Sequence, residues 1–231
     1  MIRAWRKSVA AEVKDVTAVV FDMDGVLYDT ESISMQSWRE AGKQMSVPDV
    51  GQTVLDCMGM NRKGMFEYFY AKYGPDFPVE AFLDRTRALS VEAIRRNGLP
   101  VMKGAKEVLA FLNHQGYPLA LASSTRQKTV LAHLEETGMR HFFRVVVCGD
   151  MVENSKPAPD IYELACKRLG TEPAKTVAVE DSFNGIRSAH AAGMLPLMVP
   201  DMMAPTPEIE ALLWKKCTSL FEVIRLFGGK V

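Results

Sequence analysis

An α/β fold, with a parallel sheet covered by helices on both faces and an all-helical insertion near its start, is predicted by three observations. From Pro100 to the end, short apolar strand-like runs alternate with helical stretches. Strands separated by helices pair in parallel through right-handed crossovers, so both sheet faces are covered. That alternation is interrupted once, because from Asp49 to Gly98 no segment reads as a strand. Finally, four strand ends release polar residues directly after an apolar run, which is where ligands sit in such sheets.

In chain order, residues 1–15 are polar with a few apolar positions and read as an N-terminal extension packed on the outside, with no chemistry assigned. Val16 to Asp22 is the first strand. Thr30 to Met45 places Ile33, Trp38 and Ala41 at helical spacing among polar residues. Val54 to Met58, Met65 to Tyr73 and Val79 to Ile94 are helical runs, and Asp49 with Gln52 forms a candidate capping box. The aromatic cluster Phe66, Tyr68, Phe69, Tyr70 and Tyr73 reads as core of this insertion rather than ligand surface.

Beyond Pro100 come a helix at Lys106 to Gln115, a strand at Leu119 to Ala122, and a helix at Gln127 to Thr137 stopped by Gly138. Val145 to Cys148 is the next strand. The helix Asp160 to Leu169 follows Pro157 and Pro159, which suit a helix entrance, and Gly170 ends it. A strand at Thr176 to Val179, a helix at Gly185 to Ala192 and a strand at Leu195 to Val199 complete the alternation. The last helix, Leu220 to Phe227, starts with a Ser219 and Glu222 capping box. The expected division is a Rossmann-like parallel-sheet core over residues 1–30 and 100–231, with the helical insertion over 31–99.

Charge excludes some classes of function. Lys+Arg and Asp+Glu each total 28, and no long basic run points to nucleic acid or an anionic membrane. An anionic ligand must therefore be recognised locally. No apolar segment has the length of a membrane span, and the first residues lack the apolar centre of a secretory signal, so the expected location is cytoplasmic. Cys57, Cys148, Cys166 and Cys217 are scattered without metal-ligand spacing and read as reduced, buried thiols. His114, His133, His141 and His190 do not cluster with them.

The chemistry converges on Val19 to Thr30, where a β-branched run ends in Asp22 and Asp24 followed by Gly25. Two carboxylates this close repel unless a cation or proton separates them, which implies a metal, divided acid-base roles, or both. A solvated turn uses the same residue types. The second strand end, Ala122-Ser123-Ser124-Thr125, offers hydroxyls and backbone amides at a helix start, an anion site or simply a good N-cap. Lys156, in Ser155-Lys156-Pro157, precedes a proline-started helix and can be held towards the sheet rim. Glu180 and Asp181 follow the fourth strand directly. Together these supply carboxylates for a hard cation, hydroxyls and a lysine for an anion, and an aspartate free to attack, which describes phosphoryl transfer.

In this order DMDGVLYDT, ASST, SKPAPD and VEDS resemble the four motifs of the haloacid dehalogenase superfamily, over Val16 to about Val199. The helical insertion resembles the small cap of the subfamily that holds β-phosphoglucomutase and many sugar-phosphate phosphatases. The resemblance implies that Asp22 is nucleophile and metal ligand, that Asp24 is the acid-base group and binds the metal through its backbone carbonyl, and that Glu180 and Asp181 complete the metal site. It implies phosphate contacts from Ser123 and Lys156, with Gly25, Ser124 and Thr125 among the phosphate-binding residues. Asn61-Arg62, after Gly59, resembles the cap turn where related mutases bind a second phosphate through an arginine. Dehalogenases and phosphonate-cleaving members lack an aspartate two residues after the nucleophile, so Asp24 argues against both. Ser34 stands where β-phosphoglucomutases carry a histidine.

The expected activity is a Mg²⁺-dependent phosphatase acting on a small, sugar-like phosphate monoester through an aspartyl-phosphate. A sugar-phosphate mutase is the alternative. A phosphate-binding regulator built on a dead enzyme is a third, and it would be expected to lose Asp22 or Asp24. The expected partner is a small phosphorylated metabolite, with no nucleic acid, membrane or protein partner indicated.

Overall fold

The computed structural model describes residues 12–57, 62–201 and 203–230. The N-terminal extension up to residue 11, Met58 and the Asn61 turn lie outside them. Chain order runs β1 (Ala18–Phe21), α1 (Thr30–Gln44), α2 (Val50–Cys57), α3 (Arg62–Tyr73), α4 (Val79–Asn97), α5 (Ala105–His114), β2 (Leu119–Ser123) and α6 (Gln127–Glu136). It continues through β3 (Val145–Cys148), α7 (Asp160–Leu169), β4 (Thr176–Glu180), α8 (Phe183–Ala191), β5 (Leu195–Met198), α9 (Pro207–Glu210), β6 (Lys215–Lys216) and α10 (Leu220–Leu226). The strands form one sheet in the order β3-β2-β1-β4-β5-β6, and every pairing is parallel.

The chain separates into two compact units, one running up to Val26 and again from Lys103, the other Leu27–Met102. In the first, successive strand residues point to opposite sheet faces. Ala18, Val20, Ala120, Ala122 and Ala178 form one face, whose small side chains let Ile161, Tyr162 and Ala165 of α7 and Ala189 of α8 pack closely. The alternate positions Val19, Phe21, Leu119, Leu121, Val177 and Val179 carry bulkier side chains to the other face and are equally buried. Gly170, at φ 73°, caps α7 in the left-handed region that favours glycine.

The second unit is all helical. Trp38 and Ala41 of α1, Val50, Val54 and Cys57 of α2, Phe69 of α3, and Val79 and Phe82 of α4 form its core. Phe69 is its centre, with ring centroids 5.7 Å from Trp38, 5.3 Å from Phe77 and 5.5 Å from Phe82. The ends of the segment, Leu27–Asp29 and Pro100–Met102, are tied by an antiparallel bridge between Tyr28 and Val101.

Several expectations shift. β1 is shorter than the apolar run, which starts at Val16, because Thr17 N–H is drawn to Lys175 O instead. α8 begins at Phe183, two residues early, because Ser182 caps it by accepting from Gly185 N. The Asp49 capping box is not formed: Asp49 sits at φ 52°, and Gln52 Nε2 donates to Asp56 Oδ1 at 2.7 Å. At α10 Ser219 accepts from Glu222 N, but Glu222 reaches back to Thr218 N rather than to Ser219. The aromatic cluster is core as expected except at Tyr70: Phe69 is fully buried, Phe66, Tyr68 and Tyr73 pack against the helical core, and Tyr70 is 41% exposed. α9 and β6 had no expectation attached to them. All four cysteines are free and buried, and burial pushes each thiol up to about 11.

Gly42 tests the packing of the helical unit. A Cβ there would lie 2.6 Å from Val50 Cγ2. Alanine ordinarily gains up to about 1 kcal/mol over glycine inside a helix. Overpacking costs typically about 1–3 kcal/mol and should win. Gly42→Ala is expected to lower stability in denaturant titrations, with Val50→Ala restoring part of the loss. A more stable Gly42→Ala chain would contradict this packing.

Candidate active site

The parallel register sets the site. Phe21 pairs with Leu121 on one side and Val179 on the other, so the residues that follow, Asp22, Ala122 and Glu180, emerge level with one another. Asp22 N–H still donates to Val179 O at 2.9 Å, which holds it to the end of β4. Into this gap comes Lys156 from the loop before α7. Its ammonium donates to Asp22 Oδ1 and Glu180 Oε1, both at 2.6 Å, and to Ala122 O at 3.1 Å. The Lys156 side chain is 7% exposed and that of Glu180 is 0%, so this pairing is shielded from solvent screening.

Glu180 is more tightly engaged than its place in a VEDS run suggests. Oε1 accepts from Lys156 and from Tyr162 OH at 2.6 Å. Oε2 accepts from Asp181 N at 3.2 Å, Ser182 N at 3.3 Å and Ser182 Oγ at 3.0 Å. Asp181, half-buried, lies against Gly25, where a Cβ would fall 2.1 Å from Asp181 Oδ2. Gly25 also sits at φ +77°. It therefore serves first by leaving space for Asp181 and second by turning the chain after Asp24.

Asp24 Oδ2 accepts from Thr125 Oγ1 at 3.0 Å, which ties the first and second strand ends together. Ser123 is fully buried, and its Oγ accepts from Thr125 N at 3.1 Å, leaving the hydroxyl proton to be donated. Ser124 is exposed, with its carbonyl under Gly149, where a Cβ would lie 2.1 Å away. Asp22, Asp24, Gly25, Ser123, Ser124, Thr125, Glu180 and Asp181 thus belong to strand ends of one unit, and Lys156 reaches Asp22 and Glu180 from a loop of the same unit. Arg62 begins α3 in the other unit, and its side chain lies outside the description. Tyr162 is the member that sequence reasoning missed, since an aromatic in an amphipathic helix reads as core.

Burial pushes the Asp22 carboxyl up to about 7; Lys156 pulls against it, while the charges of Glu180 and Asp24 add to it. Burial likewise disfavours the Lys156 ammonium, but the charges of Asp22 and Glu180 outweigh that and hold it above the ordinary lysine value. Asp22, Glu180 and Asp181 bring ligand oxygens within 4.8 Å of one another. Three carboxylates around one ammonium leave negative charge over, and an all-oxygen donor set suits a hard divalent cation. The residues present therefore fit such an ion. Of the three carboxylates, Glu180 is already held by five donors.

A family profile of haloacid dehalogenase-like hydrolases matches residues 19–199, and the chain belongs to that family. A phosphorylated carbohydrates phosphatase of Thermotoga maritima is 42% identical over 91 residues, covering 39% of this chain and 42% of the relative. The chain spans about half the length of the curated relatives it matches, at 42% and 49% for the first two. Among solved structures, a Thermotoga maritima protein assigned as a β-phosphoglucomutase has 29% identity and a TM-score of 0.74, covering 91% of this chain and 98% of that one. CbbY from Rhodobacter sphaeroides, in complex with xylulose-1,5-bisphosphate, has 26% identity and a TM-score of 0.71, covering 93% and 97%.

Two outcomes follow for cation binding. A cation held by Asp22 would compete with protons for that carboxyl, whose ordinary value is 3.8 and whose folded value is about 7. In the metal-free chain this raised value contributes stability below the unfolded value that is lost as pH rises through the folded one. The rise in Tm on adding Mg²⁺ should therefore grow between about pH 6 and pH 8, and calorimetry should show proton release on binding. A pH-independent Tm shift would refute this competition. Separately, Gly25→Ala should weaken Mg²⁺ affinity about 10–100-fold by displacing Asp181, and an unchanged affinity would show Asp181 to be uninvolved.

Proposed function

We propose that this chain is a Mg²⁺-dependent phosphatase that hydrolyses a small, sugar-like phosphate monoester through an aspartyl-phosphate on Asp22. The observation that carries the reading is the shared Lys156 ammonium, 2.6 Å from both Asp22 and Glu180 at the ends of adjacent strands. In this reading the core is residues 1–30 and 100–231, and residues 31–99 are a cap that selects substrate.

Asp22 attacks phosphorus, forming an O–P bond as the bond to the sugar oxygen breaks. The leaving oxygen takes a proton from Asp24, which Thr125 orients. Lys156 offsets negative charge between nucleophile and phosphoryl group, a role that suits a compact point charge. Asp24 then accepts a proton from water as that water attacks phosphorus, releasing phosphate and restoring Asp22. Ser123, with Gly25, Ser124 and Thr125, holds the phosphate oxygens. When bound by Asp22, the Asp24 carbonyl, Asp181 and Glu180, Mg²⁺ supplies the positive charge that keeps Asp22 ionised next to a phosphate.

The sugar part rests on three supports. The curated relative's name refers to phosphorylated carbohydrates, and CbbY was solved with a sugar bisphosphate. Within the helical unit, a cleft of about 360 Å³ is lined by Ser34, Trp38, Met65, Leu83, Thr86, Arg87 and Ser90. Its hydroxyls and indole suit a polyol. Its lining has a serine at position 34, where mutases of this kind have a histidine, which favours hydrolysis over isomerisation. Arg62 is kept as a contact for a distal substrate group on the motif resemblance alone. The reading includes a small metabolite as partner and a cytoplasmic location; no helix among the described residues is long and apolar enough to cross a membrane.

The test is phosphate release across a panel of monoesters with Mg²⁺, run beside isomerisation of β-glucose 1-phosphate with a bisphosphate activator. Phosphate release should exceed isomerisation for every hexose phosphate. Asp22→Asn should abolish turnover, and Asp24→Asn should lower kcat by about 10²–10⁴-fold, with both chains still folded by circular dichroism. Undiminished turnover in either variant, or rapid isomerisation with little free phosphate, would overturn the reading.

A further inference from the structure

Tyr162 is fully buried, yet its hydroxyl is turned into the charged end of the sheet rather than into the apolar cluster around its ring. Three bonds close a triangle there. Lys156 Nζ donates to Tyr162 OH at 3.3 Å, Tyr162 OH donates to Glu180 Oε1 at 2.6 Å, and Lys156 Nζ donates to the same Oε1 at 2.6 Å. The ammonium also lies 4.9 Å from the Tyr162 ring centroid, within range of a cation–π contact. We propose that Tyr162 is a positioning residue whose phenol, through Glu180, fixes the Lys156 ammonium beside the Asp22 nucleophile.

The geometry favours this over packing alone. Glu180 Oε2 is saturated by the amides of Asp181 and Ser182 and by Ser182 Oγ, which set where the carboxylate sits. They do not set how Oε1 is shared. With the phenol present, Oε1 has two donors and Lys156 remains divided between Glu180 and Asp22. Without it, Lys156 alone must satisfy a fully buried oxygen, which draws the ammonium away from Asp22 at the point where phosphoryl charge develops.

The connecting chain is braced to hold this arrangement. Lys156 and Tyr162 are joined through Pro157, Ala158, Pro159, Asp160 and Ile161, the Ala158 carbonyl accepts from Ser188 Oγ at 2.6 Å, and Tyr162 N–H donates to Pro159 O at 3.0 Å.

The inference rests on the phosphatase reading, and the experiment separates the two. Tyr162→Phe removes one oxygen and keeps the ring. In the Mg²⁺-loaded protein it should lower kcat about tenfold, within the range for outer-shell partners, with KM changed less than about twofold. Orthovanadate affinity, read by calorimetry, should fall about as much as kcat, while Tm stays close to wild type. A double-mutant cycle distinguishes positioning from packing: in a Glu180→Gln background, Tyr162→Phe should cost less than about twofold in vanadate affinity. Equal losses in both backgrounds, or wild-type kcat and vanadate affinity in Tyr162→Phe, would overturn the role. If Tyr162→Phe melts far below wild type, only the cycle on the folded fraction decides, by the same two outcomes. A wild-type chain that hydrolyses no monoester would overturn the phosphatase reading and this inference with it.

Discussion

The structure depends on a buried ammonium. Taking a lysine charge out of water costs several kcal/mol unless it is paired and fully hydrogen-bonded. Lys156 meets that condition with two carboxylates, a carbonyl and a phenol, contributed by β1, β4, β2 and α7. Four elements are thereby committed to one point, and removing either carboxylate would take a charge-assisted hydrogen bond from the buried ammonium. The pairing is also lopsided. Asp22, Glu180 and Asp181 bring more negative charge than Lys156 offsets, a balance that a proton on Asp22 or a further cation can restore. Burial is the first cause of the upward displacement of Asp22, and the charges of Glu180 and Asp24 add to it against the pull of Lys156.

Sheet topology explains why these groups meet. From β1 the chain builds β2 and β3 to one side, then crosses back to place β4, β5 and β6 on the other. The crevice of such a sheet opens at this reversal, beyond the carboxyl ends of the strands. The register then does what topology alone cannot. With Phe21 opposite Val179, Asp22 and Glu180 lie level across β1 and β4. A slip of one residue would reverse the faces of β1 and send Asp22 away from Lys156. Within β1 that slip would bring Phe21 to the face where Ala18 and Val20 pack with α7.

Much of this was legible because strand ends are where residue type speaks most plainly: Asp22, Ser123 and Glu180 each follow an apolar run closely enough to be placed at the rim. Other features depend on relations that a sequence does not display. Tyr162 shares helical spacing with Ile161, Ala165 and Cys166, so its ring announces core and hides its hydroxyl. The α3 aromatics look like one cluster, but Phe66 and Tyr70 are one turn apart on one face while Phe69 and Tyr73 lie on another. β6 is two exposed lysines held through backbone pairing to β5, with no apolar signal. The Asp49 box failed because its backbone turns to positive φ and Gln52 finds a partner one turn along its own helix.

Three glycines show how closely backbone must approach side chain for the polar network to close. A Cβ at Gly185 would lie 1.8 Å from Glu180 Oε1, one at Gly25 2.1 Å from Asp181 Oδ2, and one at Gly149 2.1 Å from the Ser124 carbonyl. None of these positions is explained by turn chemistry alone, since only Gly25 of the three has a positive φ. Each instead removes the volume of a methyl group next to an oxygen of the site. At Gly185 this lets the first turn of α8 sit against Glu180, so that the Asp181 and Ser182 amides reach Oε2 while Oε1 stays with Lys156 and Tyr162. A larger residue would separate the amides from the carboxylate, and Lys156 would then be the principal partner of a buried charge. The glycine and the ammonium are therefore parts of one constraint: the space at Gly185 lets Glu180 give Oε2 to the amides before α8 and Oε1 to Lys156 and Tyr162.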